Sequence, residues 1–407
     1  MANDTKFEII DGGVTSPLGF RAAGVEAAVK YAGRRDYALL VSDTPAAAAA
    51  MFTTNQVAAA PVRLDRERVK SHRIQAVAAN SGCANACTGE AGMEDARAMS
   101  KAVSDALGID DSLVMVCSTG VIGMRLPVER VQAGAKLAAA ALSRDGGDDA
   151  SRAIMTTDTV PKHLAVRVRI GGRDVTLGGM CKGSGMIEPY MATMLAFLTT
   201  DAAVAPGALD AALREAVGIS FNRVVVDGDR STNDTVILLA NGASGAPEID
   251  EGHPDFPAFK AALRALCFEL AKKMAMDGEG ATKFVTVTVR GARDERDARL
   301  AARAIARSPL AKTSWFGCDP NWGRVIAAAG YSGAEVDDMK ARIFYGGIAA
   351  CDRGTLADEA TLARLKQAMS GRAFDVLVDL GLGDGEDTVL TCDFSYDYVK
   401  INADYTT

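Results

Sequence analysis

The sequence predicts a mixed α/β protein built in more than one layer. Three observations predict it. Strand-like and helix-like segments follow one another along the whole chain, with apolar periodicity switching between two and about 3.6 residues. Their alternation is too irregular for a simple barrel. At 407 residues the chain is too long for one ordinary core. Two domains, or one large duplicated architecture, are therefore expected, and glycine-turn-strand pieces in both halves hint at duplication.

Residues 1 to about 65 look strand-rich, with GGVTSPLGF as an early loop. RIQAVAAN, from Arg73 to Asn80, reads as a strand running into the small-residue segment SGCANACTGEAG, and a helix follows from about Asp95 to Leu107. SLVMVCS is a buried strand ending in Thr119-Gly120, and VERVQAGAKLAAAAL is a helix apolar on one side. LAVRVRI alternates apolar and charged residues, as a half-exposed strand does, and turns at Gly171-Gly172. A helix spans Pro206 to Val217, and NRVVVDGD is a buried strand entering a polar turn. Phe259 to Met276 reads as a long helix, KFVTVTVRG as a strand, LADEATLARLKQAM as a helix and AFDVLVDLGLG as a strand. YDYVKINADYTT is expected to be a strand that ends at a site, or a frayed end.

Composition excludes several classes. A net charge of -7 argues against nonspecific binding to nucleic acid or acidic membranes. The eight cysteines are dispersed, only Cys83 and Cys87 lie close, and no histidine stands at metal-ligand spacing. Neither a zinc site nor a disulfide scaffold is expected; buried thiols in a reducing compartment are. MANDTKFEIIDGG does not read as a signal peptide, having acids where a basic region belongs. TPAAAAAMFTTNQVAAAPV carries two prolines, Asn and Gln, so it reads as a buried small-residue segment rather than a membrane span.

The densest chemistry lies in GGMCKGSGMIEPYMAT, Gly178 to Thr193. A phosphate loop would put Ser or Thr after the lysine of GxxxxGK, and here Lys182 precedes Gly183-Ser184, so the order is wrong. The glycines either let backbone pack tightly around Lys182 or form a surface turn. His72, His163 and His253 sit in settings that suit structural or solvated roles, and there is no GxSxG elbow. A threonine can be a nucleophile with its own α-amine as base, which requires it to begin a chain. Thr193 is internal, so that chemistry needs scission at Ala192-Thr193; the bland reading is a core threonine. Asp227, Asp229 and Asp234 of DGDRSTNDT fit no calcium loop and read as a structural turn. In SWFGCDPNWGR a buried Trp pair, Trp315 and Trp322, and a Pro-Asn turn suggest packing, with Cys318 buried and Arg324 a candidate for shaping the site.

NSGCANACTG, STGVIGMRLP, IMTTDTVPK, GGMCKGSGMIEPYMATMLAFLTTD, DGDRSTNDT, DGEGATKF, SPLAKTSWFGCDPNWGR and the terminal INADYTT together span almost the whole chain. In these motifs the sequence resembles the ornithine acetyltransferase family, the bifunctional glutamate N-acetyltransferases of arginine biosynthesis. The resemblance implies a mixed α/β, multilayer ornithine acetyltransferase-like fold, self-cleaved into an α chain, residues 1–192, and a β chain, residues 193–407. It implies that Thr193 is the nucleophile, freed by cleavage after Ala192, and that Thr119 and Gly120 form the oxyanion hole. Thr156, Lys182, Thr193, Glu279, Asn402 and Thr407 would bind substrate, with Thr157 and Thr159 as close neighbours of the first. Two positions depart from the family pattern: Tyr190 stands where asparagine is common, and Cys181 where alanine is usual.

The activity so implied is acetyl transfer from N2-acetyl-L-ornithine to L-glutamate, with acetyl-CoA as a further co-substrate and neither cofactor nor metal. An α2β2 heterotetramer in the cytoplasm, with no nucleic-acid or membrane partner, completes the expectation. A monofunctional transferase, a related threonine amidase and an uncleaved binding protein are the competing readings.

Overall fold

The computed structural model describes residues 7–188 and 194–404. They fall into two compact units, one comprising residues up to Asn222 together with Asp229–Met274, the other Arg223–Gly228 and the chain from Ala275 onward. The strands, in chain order, begin with β1 (Phe7–Ile10), β2 (Phe20–Val25), β3 (Tyr37–Phe52), β4 (Arg73–Cys83) and β5 (Val114–Val121). Next come β6 (Lys162–Ile170), β7 (Arg173–Lys182), β8 (Leu195–Thr200), β9 (Val224–Val225) and β10 (Thr235–Ala240). The series ends with β11 (Phe284–Ala292), β12 (Arg342–Tyr345), β13 (Ile348–Asp352), β14 (Thr355–Leu356), β15 (Ala373–Asp379) and β16 (Gly385–Cys392).

The first unit holds a nine-stranded sheet of order β1-β6-β7-β8-β10-β3-β4-β5, with β2 also paired to β3. Pairing is mixed: β4 runs parallel to β5 and β8 to β10, while the other pairs are antiparallel. The central strands are apolar on both faces because both are covered. Val114 and Val116 of β5 join one core cluster, and Met115 and Cys117 join the other. Helices α2 (Gly89–Leu107) and α3 (Val128–Ala140) cover the first face. Helix α4 (Gly147–Ala153) inserts Ala150 and Ala153 into the second. Helix α1 (Ala60–Arg68) packs on β5, α5 (Pro206–Gly218) packs on β3, and α6 (Phe256–Met276) sets Leu266 and Leu270 beside Gly179 of β7.

Residues 44–52 of the uncharged alanine-rich stretch are the second half of β3, with Ala46, Ala48 and Ala49 buried and paired to β10 or β4, while the remainder is a partly exposed loop and the start of α1. Pro45 is tolerated because the β3–β4 register shifts between Val41 and Ala46, leaving residues 43–45 unpaired and exposed. Among the described residues no helix is long and apolar enough to cross a membrane.

The second unit holds the sheet β14-β13-β12-β15-β11-β16-β9. Val285, Val287 and Val289 of β11 alternate with Thr286, Thr288 and Arg290, so one face only is packed into the core. Helix α7 (Glu295–Arg307) covers that face with Ala298, Ala301, Ala302 and Ile305, started by the Asp294 carboxylate accepting from Asp297 N. Helices α8 (Pro309–Phe316) and α9 (Trp322–Gly330) add buried Trp315 and partly buried Trp322. Helix α10 (Glu359–Met369) supplies Leu365 and Met369.

Four expectations need correction. The two units do not repeat one topology, so the glycine-turn-strand pieces are not a duplication. NRVVVDGD contributes only the two-residue strand β9 before the chain turns. Cys318 is half-buried rather than buried, the chain there being left-handed at φ 51. The terminal segment forms helix α11 (Tyr396–Asp404), because the Ser395 hydroxyl accepts from Asp397 N and starts the first turn. Arg324 reaches the Leu310 carbonyl and the Thr313 hydroxyl, bracing α9 on α8.

Gly178 carries the tightest packing in β7. A Cβ there would lie 2.0 Å from the Gly13 carbonyl oxygen. Gly178→Ala is expected to cost about 1–3 kcal/mol, as overpacking of a buried site does, read from the midpoint of urea unfolding at unchanged slope.

Candidate active site

In the first unit the ends of β5 and β7 converge. Laid flat, the five spacings between β7 and β5 would separate them by roughly 24 Å. Instead the Lys182 Nζ lies 3.5 Å from the Thr119 Oγ1, so the sheet curls toward these strand ends. Period-two alternation places Thr119 on the face of Met115 and Cys117, and Lys182 on that of Met180, all three in one core cluster. Thr119 is 4% exposed and Lys182 1%.

A lysine so deeply buried needs a carboxylate, and Asp158 supplies it. The Asp158 Oδ2 lies 4.0 Å from the Lys182 Nζ, and its Oδ1 accepts from the equally buried Lys162 Nζ at 2.6 Å. The same side chain accepts from Gly183 N at 2.8 Å and from Thr156 N at 3.1 Å. Burial pushes the Asp158 pKa up, but the Lys182 and Lys162 charges and the hydrogen bonds outweigh it and hold the group at about 2. Thr156 and Lys182 thus share one anchor, while Thr159 is exposed. The surface-turn reading of the Gly-rich stretch fails: Gly178–Lys182 is the buried end of β7.

Gly120 follows Thr119 with φ +130. A Cβ there would lie 2.4 Å from the Gly82 carbonyl carbon and 2.7 Å from Cys83 N, so β4 and β5 can approach at this point only through glycine. Cys181 is buried, its Sγ 3.8 Å from the Leu270 carbonyl, and burial pushes its thiol up to about 12 despite the lysines nearby, an inert side chain. Among the described residues no group of three or more His, Cys, Asp or Glu side chains is placed to hold a metal ion. His163 contacts the Gly12 carbonyl oxygen at 2.8 Å and Asp148 at 3.3 Å.

Ala192 and Thr193, with Tyr190 and Thr407, lie outside the described residues. The first described residue after them, Met194, is buried; its amide donates to the Asp234 Oδ1 at 2.7 Å.

The second unit brings together its own two expected residues. The Asn402 Nδ2, on α11, donates to the Glu279 Oε2 at 2.8 Å. Glu279 is held by its neighbour Gly280, where φ is +66 and a Cβ would lie 2.5 Å from Tyr398 N at the start of α11. The Ser395 hydroxyl closes the contact by donating to the Gly280 carbonyl. Sequence reasoning named none of Asp158, Asn233 or Asp234 as site residues. The first lies inside IMTTDTVPK, and the others lie in DGDRSTNDT, a stretch that reads as a turn.

Comparison with known proteins places the chain. The model of the ArgJ family matches residues 21–407. The chain belongs to the ArgJ family. A protein of Symbiobacterium thermophilum named arginine biosynthesis bifunctional protein ArgJ is 53% identical over 404 residues, covering 98% of this chain and 100% of its own. A Geobacter sulfurreducens protein of the same name is 52% identical over 389 residues, covering 96% and 99%. A solved structure from Mycobacterium tuberculosis, described as ornithine acetyltransferase complexed with ornithine, is 43% identical and covers 45% of this chain and 98% of its own, at a TM-score of 0.42. The resemblance stated for the sequence and the mixed α/β fold are both borne out.

Within this ArgJ-family chain Asp158 is the group whose removal is most informative. Asp158→Asn leaves two buried lysines without their shared charge and is expected to cost about 3–5 kcal/mol, measured by chemical denaturation near neutral pH. The folded pKa of Asp158 is depressed, so its contribution is complete above the ordinary carboxylate pKa and is lost as pH falls from 3.8 through about 2. The wild-type stability curve should show that acid loss, and the asparagine variant should lack this component.

Proposed function

We propose that this ArgJ-family chain transfers acetyl from N2-acetyl-L-ornithine to L-glutamate through an acetyl-threonine intermediate, and also makes N-acetyl-L-glutamate from acetyl-CoA and glutamate. Kinship to relatives named as bifunctional supports both half-reactions. The observation that carries the chemistry is the buried Lys182–Thr119 contact beside Gly120.

The precursor matures by attack of the Thr193 hydroxyl on the Ala192 carbonyl. An N-to-O acyl shift gives an ester, and its hydrolysis leaves residues 1–192 as the α chain and 193–407 as the β chain. The 192/193 junction falls within the first compact unit rather than between the two units. The freed α-amine, with an ordinary pKa near ~7.7, then serves as base for the hydroxyl beside it.

In the first half-reaction the Thr193 oxygen attacks the acetyl carbonyl of acetylornithine, and the amine takes the hydroxyl proton. Charge develops on the carbonyl oxygen, which the Gly120 N–H and the Thr119 hydroxyl receive. Lys182 donates to the Thr119 Oγ1. A hydroxyl whose oxygen accepts from an ammonium keeps its own proton for another acceptor and gives it more strongly. The C–N bond breaks, the amine returns the proton, and ornithine leaves. Glutamate then attacks the ester through its amine, restoring the threonine and releasing N-acetylglutamate. With acetyl-CoA the leaving group is the thiol.

Thr156 and Lys182 bind the donor's polar groups, and Glu279 with Asn402 holds the cationic end of ornithine. Thr407 is a further substrate-binding residue in this reading. The assembled form is an α2β2 heterotetramer in the cytoplasm.

Intact mass spectrometry with N-terminal sequencing tests the mature mechanism. Two fragments, the second beginning Thr193-Met194-Leu195, are expected; a single uncleaved chain would overturn it. Thr119→Val is expected to lower kcat on acetylornithine by about a hundredfold, with equal loss on acetyl-CoA. Unequal loss would mean that the two donors do not share one oxyanion hole.

A further inference from the structure

Two neighbouring side chains on the loop before β10 grip the two peptides between which the proposed chemistry takes place. Asp234 has no exposed surface. Its Oδ1 accepts from Met194 N at 2.7 Å, and that N–H belongs to the peptide that joins Met194 to residue 193. The Met194 carbonyl accepts from Thr235 N at 3.1 Å, after which β8 and β10 run in parallel register from Leu195 and Thr235. The Asp234 carboxyl therefore adds a side-chain rung just before the ladder begins.

Asn233 grips the other peptide. Its Nδ2 donates to the Ser118 carbonyl at 2.8 Å and to the Ala84 carbonyl at 2.6 Å, both within the interior. The Ser118 carbonyl belongs to the peptide that bears the Thr119 N–H. The orientation of the amide is fixed, because its Oδ1 accepts from the Thr232 hydroxyl at 2.6 Å. The loop itself is clamped to the end of β3: Thr53 N donates to the Asp234 carbonyl at 2.9 Å, and the Thr53 hydroxyl to the Ser231 carbonyl at 2.8 Å.

We propose that Asn233 and Asp234 are positioning residues that set the distance between the residue-193 nucleophile and the Thr119–Gly120 oxyanion hole. The inference rests on the reading that assigns those roles. Adjacent residues on one clamped loop leave little slack between the two peptides. Misplacement of a reacting group by about 1 Å can cost on the order of a hundredfold in rate. Burial pushes the Asp234 carboxyl well above the usual carboxylate range despite the Met194 amide and the Lys182 charge, and the role argued for it needs only the Oδ1 acceptor that Met194 N uses. An asparagine in its place offers the same acceptor oxygen.

The test compares Asp234→Ala, Asp234→Asn and Asn233→Ala, assayed on the folded, self-cleaved fraction of each. Asp234→Ala and Asn233→Ala are expected to lose about a hundredfold in kcat with KM for acetylornithine within about threefold, and to self-cleave more slowly. Asp234→Asn is expected to restore kcat to within about fivefold of wild type, a rescue that a proton-transfer role would not permit. Should Asp234→Ala fail to fold, Asp234→Ser, too short to reach Met194 N, takes its place. Wild-type kcat in the folded alanine or serine variants overturns the inference, as does an asparagine variant that loses as much as alanine. Labelling wild type with acetyl-labelled acetylornithine separates the two layers. Label on the fragment that begins at Thr193 sustains the underlying reading whatever the variants do, and its absence overturns both.

Discussion

A carboxylate with no solvent exposure is tenable only where cations and donors surround it, and Asp158 satisfies that condition at four points. Its side chain is fully buried against Lys162 and Lys182, and it accepts from the main chain at Thr156 and Gly183. Those four residues come from the loop before β6, from the first residue of β6, from the last of β7, and from the Gly-rich turn beyond it. One side chain therefore fixes the relative placement of the segments that carry the proposed donor-binding groups. It also settles what kind of lysine Lys182 is. A surface lysine would spend its rotamer freedom on each binding event. Lys182 has already been ordered by folding, so its charge stands ready near the Thr119 hydroxyl, which is the form in which electrostatic stabilisation is most effective.

The sheet delivers its strand ends to one place only because the backbone comes unusually close at glycines. Gly120 lies against Gly82 and Cys83 where β5 meets β4, and Gly178 lies against Gly13. Side chains at these points would push β5 away from β4 and β7 away from the loop at Gly13, displacing the strands that carry Thr119 and Lys182 from their neighbours.

Local signals carried most of the elements. Alternation in LAVRVRI gives a strand with one polar face, and that face appears in β6; KFVTVTVRG, read as a strand, is β11. The second half of β3 was not legible as strand, because alanine has low strand propensity and Pro45 argues against a central strand; a register shift and pairing to β10 override both. Helix α11 was misread because the apolar residues of YDYVKINAD define neither period, and its real start signal was the single hydroxyl of Ser395. Helix α7 was passed over although Asp294 before an alanine-rich amphipathic run announces it. The site divides in the same way. Motif resemblance picked out Thr119, Lys182 and Thr156, which the fold brings into one hydrogen-bonded cluster through Asp158. Asp158 itself was invisible, since its importance comes from partners 24 and 25 residues further along, at Lys182 and Gly183.

Asp158 and Asp234 show why burial alone does not assign a charge state. Both are buried and both feel the Lys182 ammonium. Asp158 adds a second lysine at 2.6 Å and two main-chain donors, and its pKa is held at about 2. Asp234 gains one main-chain donor at 2.7 Å, with the Lys182 charge and the Thr53 and Ser231 side chains beside it, together too little to offset desolvation, and its pKa moves the opposite way. Of the two carboxyls coupled to Lys182, Asp158 is therefore driven toward its charged form and Asp234 toward its neutral one. Asp158 serves the lysines, while Asp234 holds the Met194 amide with less tendency to add a second negative charge near the proposed oxyanion hole. Had the partners been distributed evenly, a second anion would stand close to the site and oppose the charge that the proposed reaction develops.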